Sequence, residues 1–275
     1  MKKKLLITLG CSCTEGVGCY DLSINPDKIS YLRLPPNDLI LTRKRFHKLG
    51  WPNRVGKKIN AHRVLNLGLG GSSNSSHLKL FQDKIVPQLP KLQEEYEIFL
   101  IWMMTNSTRF SFYTKHGIGL FNPVSVGLSN AYLPMEQAYI DTMDDMKVGP
   151  AREDIFYIKI SEILFKYYNI KAVYTSWSMS FKAVYEYYLS DSFLMPTPHF
   201  LMSYIHTGDR RYMSEVCDHP NEEGYELWSN KIIQALELYH PEFIKGKPVD
   251  NFTYEWIGDN VYGAKKRYMY GMPLL

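Results

Sequence analysis

Apolar residues along the chain occur in short unbroken runs, separated by segments in which they recur every three or four positions. Four stretches have the length and composition of buried strands, namely 5–9, 64–67, 98–104 and 171–177. The periodic segments predict helices at 54–59, around 78–89 with a break at Pro87, at 152–168 and after Asn221. This alternation predicts an α/β fold with a doubly wound parallel sheet.

The predicted helices have start signals and apolar faces of their own. Asn221 is a good N-cap residue for the last helix, and Asn74 or Ser75 for the helix after the second strand. Two helices are each expected to bury one stripe: Phe156, Ile160, Ile163, Leu164 and Tyr167 in the first, and Tyr225, Trp228, Ile232, Leu236 and Tyr239 in the second.

Four segments interrupt this alternation. Three are irregular and are predicted to be insertions near 17–48, 107–150 and 180–214 of a domain that covers 1–240. From 241 onwards the periodicity is lost, so 241–275 is predicted to be a C-terminal extension. This extension is the candidate surface for a protein partner or for a second copy of the chain.

Composition excludes several classes of protein. The chain has 275 residues and a net charge of only +4, with no basic run beyond Lys2-Lys3-Lys4, so we expect no nucleic-acid partner. The apolar run at 5–9 is shorter than the roughly 7–15 residues of a signal-peptide core, and no stretch reaches the roughly 18 of a membrane span. We therefore expect a soluble, unprocessed protein.

The four cysteines do not form the pattern of a disulfide framework, because three of them lie close together near the amino terminus: Cys11, Cys13, Cys19 and Cys217. A reducing compartment is the simpler interpretation. An alternative is a metal site of Cys11, Cys13, Cys217 and His219. Its Cys-x-Cys spacing departs from the usual Cys-x2-Cys, so no metal and no cofactor is predicted.

Residues suited to acyl transfer follow the ends of the predicted strands. Ser12 comes after the first strand, Gly71 after the second and Asn106 after the third, and His219 precedes the last helix. The carboxyl ends of parallel strands share one edge, where ligands bind. A serine nucleophile needs a base, for which His219 is suited, and the oxyanion needs donors. The backbone N–H groups of Ser12 and Gly71 and the Asn106 amide could serve, although each residue alone also has a purely structural explanation.

In these residues the chain resembles the SGNH hydrolases, also called GDSL-type esterases and lipases. Four of the family's sequence blocks are matched, by Gly10-Cys11-Ser12-Cys13-Thr14-Glu15-Gly16, Asn66-Leu67-Gly68-Leu69-Gly70-Gly71, Thr105-Asn106 and His219-Pro220-Asn221. The resemblance implies a three-layer α/β/α sandwich similar to flavodoxin. It implies Ser12 as nucleophile, Ser12, Gly71 and Asn106 as oxyanion hole, and His219 as base. Together with 50–53 and 222–225, the blocks look most like proteins encoded by phages and large viruses.

Two positions depart from the family pattern. The family's aspartate in the first block is Cys11 here, and the acid expected three residues before the histidine is Val216. Asp218 and Glu215 are the nearest acids, and Asp218 is slightly favoured as the group that orients His219. A Ser–His dyad is the alternative, and Cys11 or Cys13 as nucleophile is a competing chemistry.

The expected function is that of a serine esterase acting on small esters, such as O-acetyl groups of a polysaccharide. The alternative is a structural or adhesion protein with this fold and weak or no activity. The imperfect histidine block and the aromatic segment 241–275 favour the alternative. Either protein would be cytoplasmic or virion-associated.

Overall fold

The computed structural model describes residues 2–25, 27–28, 34–105, 109–114, 117–121, 148–177 and 210–257. The described strands are β1 Lys3–Gly10, β2 Arg63–Gly68, β3 Tyr96–Met104, β4 Phe110–Thr114, β5 Gly117–Phe121, β6 Lys171–Ser176 and β7 Thr253–Trp256. Five of them form one parallel sheet in the order β6-β3-β1-β2-β7, while β4 and β5 pair as an antiparallel hairpin. The predicted α/β fold with a parallel sheet is confirmed.

Seven α-helices are described, namely α1 Ser12–Glu15, α2 Pro36–Leu49, α3 Trp51–Lys58, α4 Asn74–Lys84, α5 Leu89–Glu95, α6 Val148–Tyr167 and α7 Glu222–Tyr239. As predicted, Pro87 falls in a break between α4 and α5, where a short 3-10 turn lies. Asn221 caps α7 and accepts a hydrogen bond from the N–H of Gly224. The cap of α4 is Ser73, not Asn74 or Ser75, because its hydroxyl accepts from the N–H of Ser76.

Helices cover both faces of the sheet, which makes three layers. On one face, Leu6 of β1 packs in a core with side chains of α2, α3 and α7, among them Phe46, Trp51 and Tyr225. On the other face, the alternating β1 residues pack with side chains of α4, α5 and α6. A buried strand with an apolar side chain on each face is what a sheet covered by helices requires.

The order of the strands creates a crevice beside β1. The chain runs from β1 to β2 on one side and then returns to β3 on the opposite side of β1. The point at which the strand order reverses is where open α/β sheets bind ligands, beyond the carboxyl ends of the strands. Residues that directly follow β1 and β3 therefore face this crevice.

The helix α6 buries a different face from the one predicted. Ile158 and Phe165 are fully buried, whereas Phe156 is 58% exposed, Ile163 72% and Tyr167 80%. The predicted stripe was wrong because apolar residues lie on both sides of this helix, so periodicity could not show which side meets the sheet. In α7 the predicted stripe is buried except for its last member, Tyr239.

Segments predicted to lie outside the core contribute elements to it. The predicted insertion 17–48 contains most of α2, which buries only Thr42 and Phe46 and so lacks a wide apolar face. The predicted extension 241–275 contains β7, which pairs with β2 and is joined to it by an ion pair between Arg63 and Glu255. The boundary at 240 is therefore not a boundary of the sheet. The predicted insertion 180–214 lies outside the described residues except for 210–214.

Among the described residues, none of the helices combines the length and the apolar character needed to cross a membrane.

Candidate active site

Ser12 lies in a short helical turn that directly follows β1. Cys11 is the residue before the turn, and Ser12 is the first residue of α1. The N–H groups of Glu15 and Gly16 donate to the carbonyl oxygens of Cys11 and Ser12, at 2.9 and 3.0 Å. Ser12 is only 9% exposed. Its hydroxyl is thus held in a shielded position at the carboxyl end of the central strand.

The imidazole of His219 contacts this hydroxyl. His219 Nε2 lies 2.7 Å from Ser12 Oγ, although 207 positions separate the two residues in the chain. Gly18 allows this approach, because its φ is +120° and a Cβ there would come within 2.1 Å of the Pro220 carbonyl oxygen. The carbonyl oxygen of His219 accepts from the N–H of Ser214 at 2.8 Å. The histidine loop, residues 214–220, is therefore held by this hydrogen bond and by its close packing against Gly18.

The His219 ring is uncharged at neutral pH. Burial and, to a smaller extent, the nearby charge of Arg109 together lower the pKa of His219 to about 4, against the opposing influence of Cys11 and Asp218. A neutral ring whose Nδ1 carries the proton can accept the Ser12 hydroxyl proton at Nε2. This is the protonation state that a general base requires.

Neither predicted acid reaches the other side of the ring. His219 Nδ1 is buried and has no hydrogen-bond partner within the described part of the chain. Glu215 is exposed and pairs with Lys28 at 2.6 Å, and Asp218 is exposed and acts on the ring only through its charge. The expectation that Asp218 or Glu215 orients His219 is not met. Among the described residues, the site is a Ser–His pair.

The glycine loop, residues 69–71 after β2, is hydrogen-bonded to the end of β1 and to the Ser12 turn. The N–H of Leu69 donates to the carbonyl oxygen of Gly10, and the N–H of Gly70 donates to the buried carboxylate of Glu15, both at 2.9 Å. Gly68 permits this contact, because a Cβ there would lie 2.3 Å from the backbone nitrogen of Glu15. Gly71, a predicted oxyanion donor, follows in this loop with φ +76°.

A buried chain of hydrogen bonds supports the same loop. Trp102 Nε1 donates to His77 Nδ1 at 3.0 Å, which leaves the ring proton of His77 on Nε2. His77 Nε2 then donates to Ser72 Oγ at 2.6 Å, and the Ser72 hydroxyl donates to the carbonyl oxygen of Leu69 at 2.5 Å. Burial lowers the pKa of His77 to about 3, so this assignment holds at neutral pH.

Asn66 joins the Ser12 turn to β2, a role that sequence reasoning did not assign to it. Its Nδ2 donates to the carbonyl oxygen of Thr14 at 2.8 Å and to the hydroxyl of Tyr254 at 2.7 Å. Its Oδ1 accepts from the N–H of Gly68 at 2.8 Å and from the hydroxyl of Thr8 at 3.1 Å. An amide inside an otherwise apolar strand was the signal that could have identified it.

The end of β3 is anchored just before the predicted Asn106, which itself lies outside the described residues. The N–H of Thr105 donates to Asn74 Oδ1 at 2.8 Å, and Asn74 Nδ2 donates to the carboxylate of Asp154 at 2.7 Å. Asn74 thus holds the strand end against α6. Sequence reasoning assigned it only to a helix cap.

The cysteines beside Ser12 are buried and contact each other. Cys11 is 0% and Cys13 6% exposed. The neighbouring thiol of Cys11 and burial raise the pKa of Cys13 well above its ordinary value, which disfavours a thiolate nucleophile there. The His219 ring bonds to the serine hydroxyl. In the described ranges, no three His, Cys, Asp or Glu side chains are grouped as metal ligands would be.

In the described site, the Ser12 hydroxyl contacts the neutral imidazole of His219. The pair lies where the strand order reverses, beside the glycine loop that is hydrogen-bonded to the Ser12 turn. This arrangement can transfer a proton from Ser12 to His219. A scan of protein-family models finds no match for this chain, and a search of the curated proteins finds none either.

Proposed function

We propose that this protein is a serine esterase of the SGNH type that hydrolyses small esters, such as O-acetyl groups on a polysaccharide. The observation that carries the proposal is the 2.7 Å contact between His219 Nε2 and Ser12 Oγ. Acyl transfer requires at least a nucleophile within hydrogen-bond distance of a neutral base. The resemblance of the motifs at 10–16, 66–71, 105–106 and 219–221 to the SGNH hydrolases supports it.

The proposed reaction has two halves. His219 Nε2 takes the hydroxyl proton as Ser12 Oγ attacks the ester carbonyl, and the resulting oxyanion is stabilised by the N–H groups of Ser12 and Gly71 and by the Asn106 amide. The intermediate collapses to an acyl-serine, and His219 returns the proton to the departing alcohol. Water then gives a proton to His219 and attacks the acyl-serine. As the carboxylic acid leaves, His219 returns that proton to Ser12 Oγ, which restores the hydroxyl and the neutral ring.

In the part of the chain that the structure describes, the proposed site has no acid behind the histidine. In a triad, that acid fixes the tautomer and stabilises the imidazolium formed in the transition state. Here the Nδ1 of His219 has no partner among the described residues, and burial disfavours its charged form. We therefore infer a dyad whose turnover is slower than that of a full triad.

The pH dependence of hydrolysis tests the proposal. The kcat/KM for p-nitrophenyl acetate should rise with pH through about 4 and stay level between about pH 6 and 8, because only the neutral ring can accept the Ser12 proton and its pKa is lowered to about 4. His62→Gln is the matched control, since His62 contacts Lys4 at the opposite end of β1. No hydrolysis would contradict the function, and a midpoint near 6.5 would contradict a buried base.

The two acids of the histidine loop should be dispensable for turnover. Asp218→Asn and Glu215→Gln are expected to keep kcat within about threefold of the wild type, because neither contacts His219, whereas His219→Ala should lose at least about 10³-fold. Steady-state kinetics on p-nitrophenyl acetate measures all three variants. A loss above tenfold for either acid variant would show that it orients the ring.

The second candidate is a structural or adhesion protein, such as a virion component, that keeps this fold with weak or no activity. The Nδ1 of His219, which has no hydrogen-bond partner among the residues that the structure describes, favours this candidate. This candidate would replace the first if the wild type hydrolyses no ester in these assays.

A further inference from the structure

Arg109 is held rigidly at the edge of the sheet where Ser12 lies. It follows the end of β3 by a few residues, and its guanidinium carbon is 5.3 Å from the ring centroid of Trp177, which follows β6. Trp177 Nε1 in turn donates to the hydroxyl of Thr105 at 3.3 Å. A guanidinium stacked on an indole ring is restrained in orientation.

The charge of Arg109 acts inside the candidate active site. Burial is the largest cause of the lowered pKa of His219, the proposed base, and of His77 beneath the glycine loop. The charge of Arg109 lowers both of these pKa values as well. The strand order also places the guanidinium at the same edge of the sheet as Ser12, because Trp177 directly follows β6, and β6 and β1 are the two neighbours of β3. The two acids of the histidine loop are not hydrogen-bonded to this guanidinium: Asp218 and Glu215 are exposed, and Glu215 pairs with Lys28.

Within the described ranges, the guanidinium of Arg109 has fewer hydrogen-bond partners than a shielded cation normally has. Its Nε and Nη1 are buried without a hydrogen-bond partner in the described part of the chain. Arg54 and Arg63, by contrast, pair with the carboxylates of Glu222 and Glu255. Shielding charged N–H groups without acceptors is unfavourable, which indicates that the position is kept for something other than stability. Arg109 as a whole stays partly exposed, so it can be reached from outside.

We propose that Arg109 binds a negatively charged group of the substrate, so that the preferred substrates are esters with an anionic group close to the scissile carbonyl. Arginine pairs with carboxylates through charge-assisted hydrogen bonds and suits this role better than a point charge. The inference rests on the proposed esterase function and narrows it to acidic esters. The anionic group can belong to the acyl part or to the alcohol part of the ester.

Matched pairs of esters test the proposal and distinguish the two sources of charge. For the alcohol side, 4-acetoxybenzoate is compared with methyl 4-acetoxybenzoate, and for the acyl side, mono-4-nitrophenyl succinate with 4-nitrophenyl pentanoate. The wild type should prefer the charged member of one pair by about 10- to 100-fold in kcat/KM. Arg109→Gln should reduce that ratio at least tenfold, and Arg109→Lys should retain part of it.

Arg43→Gln is the matched control, because Arg43 stacks on Trp256 in the same manner, at 5.2 Å. It should leave the ratio of charged to neutral ester unchanged. The inference is overturned if the wild type shows no preference, if Arg109→Gln keeps the preference, or if Arg43→Gln removes it to the same extent. Thermal unfolding of each variant verifies that the ratios are compared between folded proteins.

Direct binding separates failure of this inference from failure of the esterase function. Calorimetric titration of the wild type with benzoate and with succinate should show binding that Arg109→Gln weakens at least tenfold. If no ester is hydrolysed but this binding is found, the anion site stands and the esterase proposal falls. If esters are hydrolysed without preference and neither anion binds, the esterase proposal stands and the anion site is refuted.

Discussion

Replacement of Ser12 by alanine is expected to lower kcat for p-nitrophenyl acetate by a factor of about 10⁴ to 10⁶. The hydroxyl that contacts His219 Nε2 at 2.7 Å is the proposed nucleophile, and without it the ring has no proton to accept. Steady-state kinetics measures the loss. A fluorophosphonate probe, mapped by peptide mass spectrometry, should label Ser12 in the wild type and label nothing in the variant.

Ser23→Ala is the matched control for this substitution. Ser23 also carries a hydroxyl near the amino terminus, but it bonds to Asp21 on the surface. Its removal should leave kcat within about twofold of the wild type, as is usual for surface substitutions. If the probe labels Cys11 or Cys13, or if Ser12→Ala keeps its turnover, the serine mechanism is wrong.

Asn66→Ala should destabilise the protein by about 2–5 kcal/mol and lower kcat at least about tenfold. The substitution removes four hydrogen bonds and leaves the carbonyl oxygen of Thr14 and the N–H of Gly68 buried without partners. The bond to the Thr14 carbonyl oxygen holds the Ser12 turn against β2, so its loss should displace the nucleophile. Urea unfolding gives the change in stability, and p-nitrophenyl acetate turnover gives the change in kcat.

Asn230→Ala provides the comparison for Asn66. Asn230 is exposed on α7 and accepts a hydrogen bond from Lys58, so its loss should change the free energy of unfolding by only about 0.5 kcal/mol. If Asn66→Ala is no more destabilising than Asn230→Ala, the four bonds of Asn66 do not stabilise the fold. If it unfolds more easily but keeps its kcat, Asn66 is structural only.

Local sequence was sufficient to predict four of the five strands of the sheet and to single out Ser12 and His219. The apolar runs at 5–9, 64–67, 98–104 and 171–177 coincide to within two residues with β1, β2, β3 and β6, because a strand covered on both faces needs apolar side chains at nearly every position. Where those strands end, the chain must turn at one edge of the sheet. Polar residues at the ends of parallel strands are thereby brought to one edge, which places Ser12 there. His219 instead precedes α7, and its contact with Ser12 is made in the folded chain.

Tertiary packing decided the remaining features, since each depends on residues far apart in the chain. Periodicity could not choose between two apolar sides of α6, and only the sheet selected Ile158 and Phe165 for burial. The segment β7 has too little pattern of its own and forms a strand because β2 offers an open edge. Contacts between residues far apart in the chain also direct His219 Nδ1 away from both nearby acids. Contacts of the same kind stack Arg109 on the ring of Trp177. Sequence spacing carries no information about such contacts, because hydrogen bonds and ring stacking depend on side-chain direction in the folded chain.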